Sequence, residues 1–369
     1  MTARTPLTGL LGIEHPIAGF TPSEHVAAAV SRAGGLGVLG CVRFNDPAEL
    51  DKVLTWMDEN TGGRPYGIDV VMPATVPTEG AATDLSQLIP DQHKAFVAQT
   101  LLDLGVPPLP DDTQAGEGVL GWLHSVARQH VEVALSHPAA LIANALGSPP
   151  PDVIARAHDR GMLVAALAGK AEHARRQVAS GVDIVVAQGH EAGGHTGEIG
   201  TMVLVPEVVD AVADQAHVLA AGGIGCGRQI AAALALGAAG AWMGSAWLVT
   251  AEYQQLSAAP AVQQALLNAT SSDTVRSRIY SGKPARLLKN RWTAAWEEPG
   301  APPPLPMPLQ NLLVSEAHQR LMRSGQPDVV PMPAGQIIGR MNEVRPVADV
   351  MADLIAETAQ ALDRLRGLG

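Results

Sequence analysis

The stretch 183-DIVVAQGHEAGGHTG-197 is the part of the chain from which the rest can be read. It opens as an uninterrupted apolar, β-branched run, the pattern of a strand buried on both faces. It then breaks into a loop carrying His190, Glu191, His195 and four glycines. Glycine lets a backbone approach a ligand closely. Histidine titrates closest to neutral pH and so suits proton transfer. A buried parallel strand that ends in such a loop is where α/β enzymes place their chemistry.

The same alternation extends in both directions. Residues 15–19 and 36–40 read as strands, with a helix over 23–33 between them, Ser23 as its N-cap and Gly34-Gly35 as its stop. A helix over 47–60 leads to a third strand at 66–72. Strands at 141–145, 162–167, 183–188, 218–223 and 240–244 follow, with helices near 150–160, 171–180 and 228–236. Eight strands in roughly 250 residues predict an α/β fold of the (β/α)8 TIM barrel type, with a doubly wound sheet as the runner-up. Residues 74–135 interrupt the rhythm as a turn-rich, partly helical excursion on the substrate side. The division expected is a barrel over 1–275 that includes this excursion, and an extension over 276–369, packed on the barrel and ending in a helix near 346–366.

Composition narrows the function classes. Of 369 residues, 47% are apolar and 17% charged, which supports a large core and argues against disorder. The formal charge is −11 without a lysine- or arginine-rich run, so nucleic acid and anionic membrane surfaces are unexpected partners. Two cysteines, Cys41 and Cys226, make no disulfide framework and are read as reduced thiols. The start of the chain lacks the apolar core of a signal peptide, and the apolar segment 230–249 is broken by glycines, so a cytoplasmic protein is expected.

Gly222-Gly223 and Gly244-Ser245 close the seventh and eighth strands, where barrel enzymes bind phosphate through loop amides and a helix N-terminus. His195 is the candidate acid, base or anion-docking residue; the competing reading is a histidine satisfied by backbone carbonyls. His190 has the weaker claim, and Glu191 suits orienting a neighbour or capping the loop. The pair His190-Glu191 resembles the start of a zinc HExxH motif, but position 194 is glycine and the next histidine falls one residue late, so no metal is expected. Asp69, Asn144, Lys170 and Gln188 stand at or just beyond strand ends and suggest a polar ligand. Cys226, Trp242 and Trp247 read as packing residues.

These segments resemble the nitronate monooxygenase family, FMN-dependent (β/α)8 barrels once called 2-nitropropane dioxygenases. The resemblance is carried by HPIAG (15–19), SRAGGLGVLG (31–40), YGIDVVMP (66–73), AQGHEAGGHTG (187–197), AAGGIGCGRQIAAALALGA (220–238), WMGSAWL (242–248) and SGKPARLLKNRW (281–292). It implies FMN with its phosphate on Gly222, Gly223, Gly244 and Ser245. It implies further cofactor contacts from Ala18, Gly19, Phe20, Asp69, Lys170, Gln188 and Gly189, and His195 as the catalytic histidine. Two positions depart from the family pattern: the first strand ends in the short AGFTP, and Asp69 stands where asparagine is frequent.

The activity implied is oxidation of a nitronate, or a similar small anion, by O2. Protonated His195 would dock the anion; neutral His195 would instead deprotonate a nitroalkane. An NAD(P)H-dependent FMN reductase acting on quinones or enoyl thioesters is the alternative, and a non-catalytic flavin sensor the second alternative. A homodimer is the assembly to test for.

Overall fold

The computed structural model describes residues 3–72, 85–110 and 124–368. Its strands are β1 (Ile17–Thr21), β2 (Leu36–Gly40), β3 (Tyr66–Asp69), β4 (Leu141–Asn144), β5 (Leu163–Ala168), β6 (Ile184–Gln188), β7 (Gly194–His195), β8 (His217–Ala221), β9 (Gly240–Met243), β10 (Thr274–Ser277) and β11 (Ala285–Leu288). Strands β1 to β6, β8 and β9 form a closed barrel in that order. Closure is set by β1, where Ala18 lies in register with Leu36 of β2 on one side and Trp242 of β9 on the other, both parallel. This overturns the doubly wound sheet, an open sheet with two free edges; here every barrel strand is paired on both sides.

Side chains alternate across each strand and divide the core in two. Ala18, Leu36, Val38, Ala143, Ala165 and Val186 fill the barrel interior, together with Leu7 and Leu11 of the short helix Pro6–Leu11. The small residues are what let eight strands close at this diameter. The opposite faces, such as Leu39, Ile68 and Val185, pack under the surrounding helices. Helix Glu24–Arg32 begins at Ser23, whose hydroxyl accepts the Val26 amide at 3.4 Å, and helix Pro47–Asn60 spans the expected residues.

Two features depart from the sequence reading. Helix Thr201–Val212 had no signal because Pro206 lies inside it, a residue that normally ends helices. The excursion ends sooner than expected: helix His124–Ser136 packs in the main core through Ala127, Val131 and Leu135, taking the place of the barrel helix after β3. Helix Asp91–Asp103 packs instead on the C-terminal part, with Val97 and Leu101 against Val314 and Leu321 of helix Leu309–Arg323. Residues 73–84 and 111–123 of the excursion lie outside the described residues.

The C-terminal part is woven into the barrel mouth. Strands β10, β11 and β7 form an antiparallel sheet in which Ala285 pairs with His195. The final helix, Val347–Arg366, seats so closely on helix Gly227–Ala235 that a Cβ on Gly227 would come within 2.3 Å of the Thr358 amide. No helix of the described residues is long and apolar enough to cross a membrane.

Candidate active site

A cavity of about 500 Å³ opens at the C-terminal ends of the barrel strands. Phe20, Asp69, Gln188, Trp242 and Ser245 come to it from the barrel side. Tyr280, His318, Met322, Met332 and Gly335 come from the chain beyond residue 275. Phe20 and Trp242, ring centroids 6.1 Å apart and nearly parallel, also pack on the barrel interior and so separate it from the cavity. Among the described lining residues Arg43 is the one arginine or lysine, and it is tied to Glu24 at 2.6 Å and to the Pro22 carbonyl at 2.9 Å.

One corner is built from glycine turns and a serine hydroxyl. Gly222 and Gly223 have φ of 97° and 69°, a conformation other residues adopt only with strain. A Cβ on Gly222 would also lie 3.0 Å from the Gly189 carbonyl. The Thr201 amide donates to both Glu191 carboxylate oxygens, at 3.2 and 3.0 Å, and the Thr201 hydroxyl lies 3.0 Å from the Gly222 carbonyl. Glu191 thus caps helix Thr201–Val212 and braces the turn. Burial pushes its carboxyl up, but the backbone amides, the Thr201 hydroxyl and His190 together hold it below the ordinary value.

Across the corner, Ser245 Oγ accepts the Gly335 amide at 2.8 Å, which leaves its own hydrogen to donate. Gly335 is close-packed: a Cβ there would stand 2.8 Å from the Glu191 carbonyl. The N-terminus of helix Gly227–Ala235 contributes less than the sequence suggests. Its Gly227 amide is already taken by the Glu357 carboxylate at 2.9 Å, and the Gly225 amide by Gln229 at 2.8 Å.

His195 sits on β7 at the cavity wall. Its Nε2 lies 2.6 Å from the hydroxyl of Ser281, which is itself fully buried. Burial, with a smaller contribution from Lys283, pushes the imidazole down to about 4, so it is neutral at pH 7. Its ring meets Tyr280 edge-on at 6.4 Å, and Tyr280 stacks on His318 at 4.9 Å. Burial pushes His318 down to about 3 and the Tyr280 hydroxyl up. His190 is 40% exposed, 3.3 Å from Glu191, and does not line the cavity.

The polar strand ends separate. Asp69 and Gln188 line the cavity. Asn144 is fully buried and spends its amide on Met72 and Gly147, latching two loops together. Lys170 is exposed at the N-cap of helix Ala171–Ala179 and is not among the lining residues. Ala18 faces the barrel interior, Gly19 faces Val30 and Trp247, and Gly189 lies beneath the loop against Thr201. The structure therefore gathers Phe20, Asp69, Gln188, His195, Gly222, Gly223, Gly244 and Ser245 around one cavity, and leaves Ala18, Gly19, Lys170 and Gly189 off its lining. Cys226 is buried at a helix N-cap, 3.4 Å from the Gln229 side-chain oxygen, and Trp247 is buried with its indole bonded to the Met243 carbonyl at 2.7 Å.

Sequence reading missed Arg43, Tyr280, Ser281, His318 and Gly335. Four of the five lie beyond residue 275, where no strand–helix rhythm points at a site. Ser281 opens the SGKPARLLKNRW segment, so that run of residues was the available signal.

A model of the nitronate monooxygenase family matches residues 4–357. The chain belongs to the nitronate monooxygenase family. It is an oxidoreductase of that family. Among relatives, "Putative monooxygenase Rv1533" of Mycobacterium tuberculosis is 48% identical over 99% of both chains. A "Probable nitronate monooxygenase" of Staphylococcus aureus is 28% identical over 98% of this chain and 99% of its own. Among solved structures, a nitroalkane oxidase from Streptomyces ansochromogenes superposes with a TM-score of 0.77 at 29% identity, covering 97% of this chain and 99% of that one. FabK from Thermotoga maritima superposes over the full length of both chains with a TM-score of 0.73 at 26% identity. Both superpositions, like the family match over residues 4–357, cover the barrel and the C-terminal part together.

Proposed function

We propose that this nitronate monooxygenase family member binds FMN and oxidises alkyl nitronates with O2 to a carbonyl compound and nitrite. The observation that carries the reading is the meeting of a glycine–serine anion corner and a neutral histidine in one cavity. The corner fits a phosphate: Gly222 has positive φ and little room for a Cβ, and the Ser245 hydroxyl has a hydrogen to donate. The unbonded buried oxygen of Asp69 calls for a polar ring edge. Gly222, Gly223, Gly244 and Ser245 would hold the phosphate, with Phe20, Asp69 and Gln188 turned to the rest of the cofactor. When bound, FMN supplies the electron exchange with substrate and oxygen that no side chain can provide.

The chain's own residues do the remainder. The Met, Tyr, Ile and Trp side chains of the cavity wall exclude water and strengthen each polar contact within. Neutral His195 supports proton removal from a nitroalkane more directly than charge docking of a nitronate. Base action needs the tautomer that donates Nε2–H to Ser281 Oγ and carries its lone pair on Nδ1. The carbon proton then moves to Nδ1, and Ser281 stabilises the imidazolium. The similarity to the nitroalkane oxidase of Streptomyces ansochromogenes supports this substrate class.

Anaerobic mixing of the purified flavin-loaded protein with propionate 3-nitronate, NADH and NADPH tests the reading. Bleaching of the flavin by nitronate alone is the expected result. Bleaching by a nicotinamide, with none by nitronate, sinks the monooxygenase reading and assigns the reductase.

A further inference from the structure

Adjacent barrel strands β3 and β4 end in two buried polar residues with opposite fates. Asn144 uses both oxygen and nitrogen on neighbouring backbone. Asp69, only 2% exposed, lines the cavity, yet its Oδ1 is out of water with no hydrogen-bond partner among the described residues. Folded proteins rarely leave such an atom unmet unless a ligand completes it.

The surroundings do not suit a carboxylate. The Cys41 thiol beside β2, pushed up by burial and then by Asp69, stays neutral. Arg43, the one arginine or lysine among the described lining residues, is engaged by Glu24 and the Pro22 carbonyl. The β4 side offers Asn144, already satisfied, and the Ala145 amide. Other cavity-lining residues, Gln188 and His195, are neutral. Burial accordingly pushes the Asp69 carboxyl up to about 7, against the smaller pull of the Ala145 amide.

A protonated carboxyl presents an O–H donor beside a C=O acceptor. The imide edge of a flavin ring presents the complementary pair, a C=O beside an N–H. We infer that Asp69 binds this edge as a neutral carboxyl, donating its O–H to a ring carbonyl and accepting from the ring N–H, so that flavin binding takes up a proton. The inference rests on the flavin reading above and adds to it a pH-dependent grip that asparagine at this position would lack. No bond is made or broken in the step beyond the protonation of one carboxylate oxygen by solvent.

Binding of FMN to the full-length, flavin-stripped chain measures this directly. Calorimetry at about pH 8, in two buffers of different ionisation enthalpy, counts the protons taken up; close to one is expected, and none overturns the inference. Fluorescence titration should give a Kd, relative to Asp69→Asn, that is constant below about pH 7 and rises about tenfold per pH unit above it. Pairing with Asp69→Asn cancels the ionisation of the FMN phosphate itself. Asp69→Ala should weaken binding at every pH, because it removes donor and acceptor together. Parallel profiles for wild type and Asp69→Asn, or tighter wild-type binding at high pH, overturn the inference. A wild-type chain that binds no FMN at any pH overturns the flavin reading and takes this inference with it. FMN binding without proton uptake overturns this inference alone.

Discussion

His195 Nε2 and the Ser281 hydroxyl lie 2.6 Å apart, so the family's histidine loop is held by a residue from the C-terminal part of the chain. The pairing of Ala285 with His195 across the β7–β11 ladder sets the contact, because it fixes where the turn before β11 can fall. Ser281→Ala should leave FMN content and fold intact and lower turnover about fivefold, in line with the ~1 kcal/mol of a lost neutral hydrogen bond. The pH profile of kcat/KM reports more than the rate. If Nε2–H donates to Ser281, the imidazolium loses more than the neutral ring, and the acid limb moves to lower pH. A move to higher pH assigns the opposite tautomer and removes His195 as the base.

Glu191 is expected to matter for the scaffold rather than the reaction. Its carboxylate caps helix Thr201–Val212 and lies against Gly223. Glu191→Ala should cost about 1–2 kcal/mol, the scale of a lost N-cap. It should also loosen the anion corner, so FMN should leave faster while His195-dependent chemistry in the loaded fraction stays close to normal. Thermal melts and flavin release after dilution separate the two effects; a normal melt would show that the Thr201 contacts carry no stability.

The barrel was legible because its strands obey a local rule. Each is a short apolar run between glycine or polar breaks, and β2, β6, β8 and β9 begin and end within about two residues of the expected places. The place of Gly222-Gly223 and Gly244-Ser245 on the cavity lining was legible for the same reason, since both pairs sit immediately after strands. Ser281, His318 and Gly335 were not, because what brings them to the cavity is long-range: a two-residue strand, β7, pairing with β11, and the packing of helix Leu309–Arg323. Two residues of strand carry no periodicity. Lys170 failed to reach the cavity lining for a related reason: its place after β5 is visible in sequence, but its exposed N-cap geometry is not.

Stability should depend on pH through three cavity residues of opposing sign. Folding depresses His195 to about 4 and His318 to about 3, from an ordinary histidine value near 6.5. Between those limits the unfolded chain binds more protons, so stability falls as pH drops below about 6.5. Asp69 runs the other way. Its folded value of about 7 exceeds the unfolded value of about 3.9, so its contribution is full below pH ~4 and is lost as pH rises through 7. Near pH 5 the three sum to about one proton more on the unfolded chain; Asp69→Asn removes the opposing one and leaves about two. Urea unfolding of the flavin-free chain at several pH values should therefore show a steeper acid loss for Asp69→Asn than for wild type. Equal slopes would mean that Asp69 is not protonated in the fold.

His195→Asn tests the assignment of the chemistry itself. Asparagine retains some hydrogen-bonding capacity but has no titratable nitrogen, and Ser281 stays in place as a partner. The fold and FMN content should survive, since Ser281 stays in place and Ser245 is held independently by the Gly335 amide. Turnover of neutral nitroalkanes should fall by ~100-fold or more, the usual scale for a lost general base. Preformed nitronates have already surrendered the proton and should lose much less, because neutral His195 offers them only a hydrogen bond. Comparison at several pH values sharpens the contrast: the wild-type advantage on nitroalkanes should shrink as acid protonates the imidazole, while the advantage on nitronates should not follow that limb. His190→Asn serves as the control, since His190 is off the cavity lining, its ring 3.3 Å from the Glu191 carboxylate. Near-normal rates in His195→Asn on both substrate forms, with activity abolished in His190→Asn, would move the proton transfer to the other histidine and end the role assigned to His195.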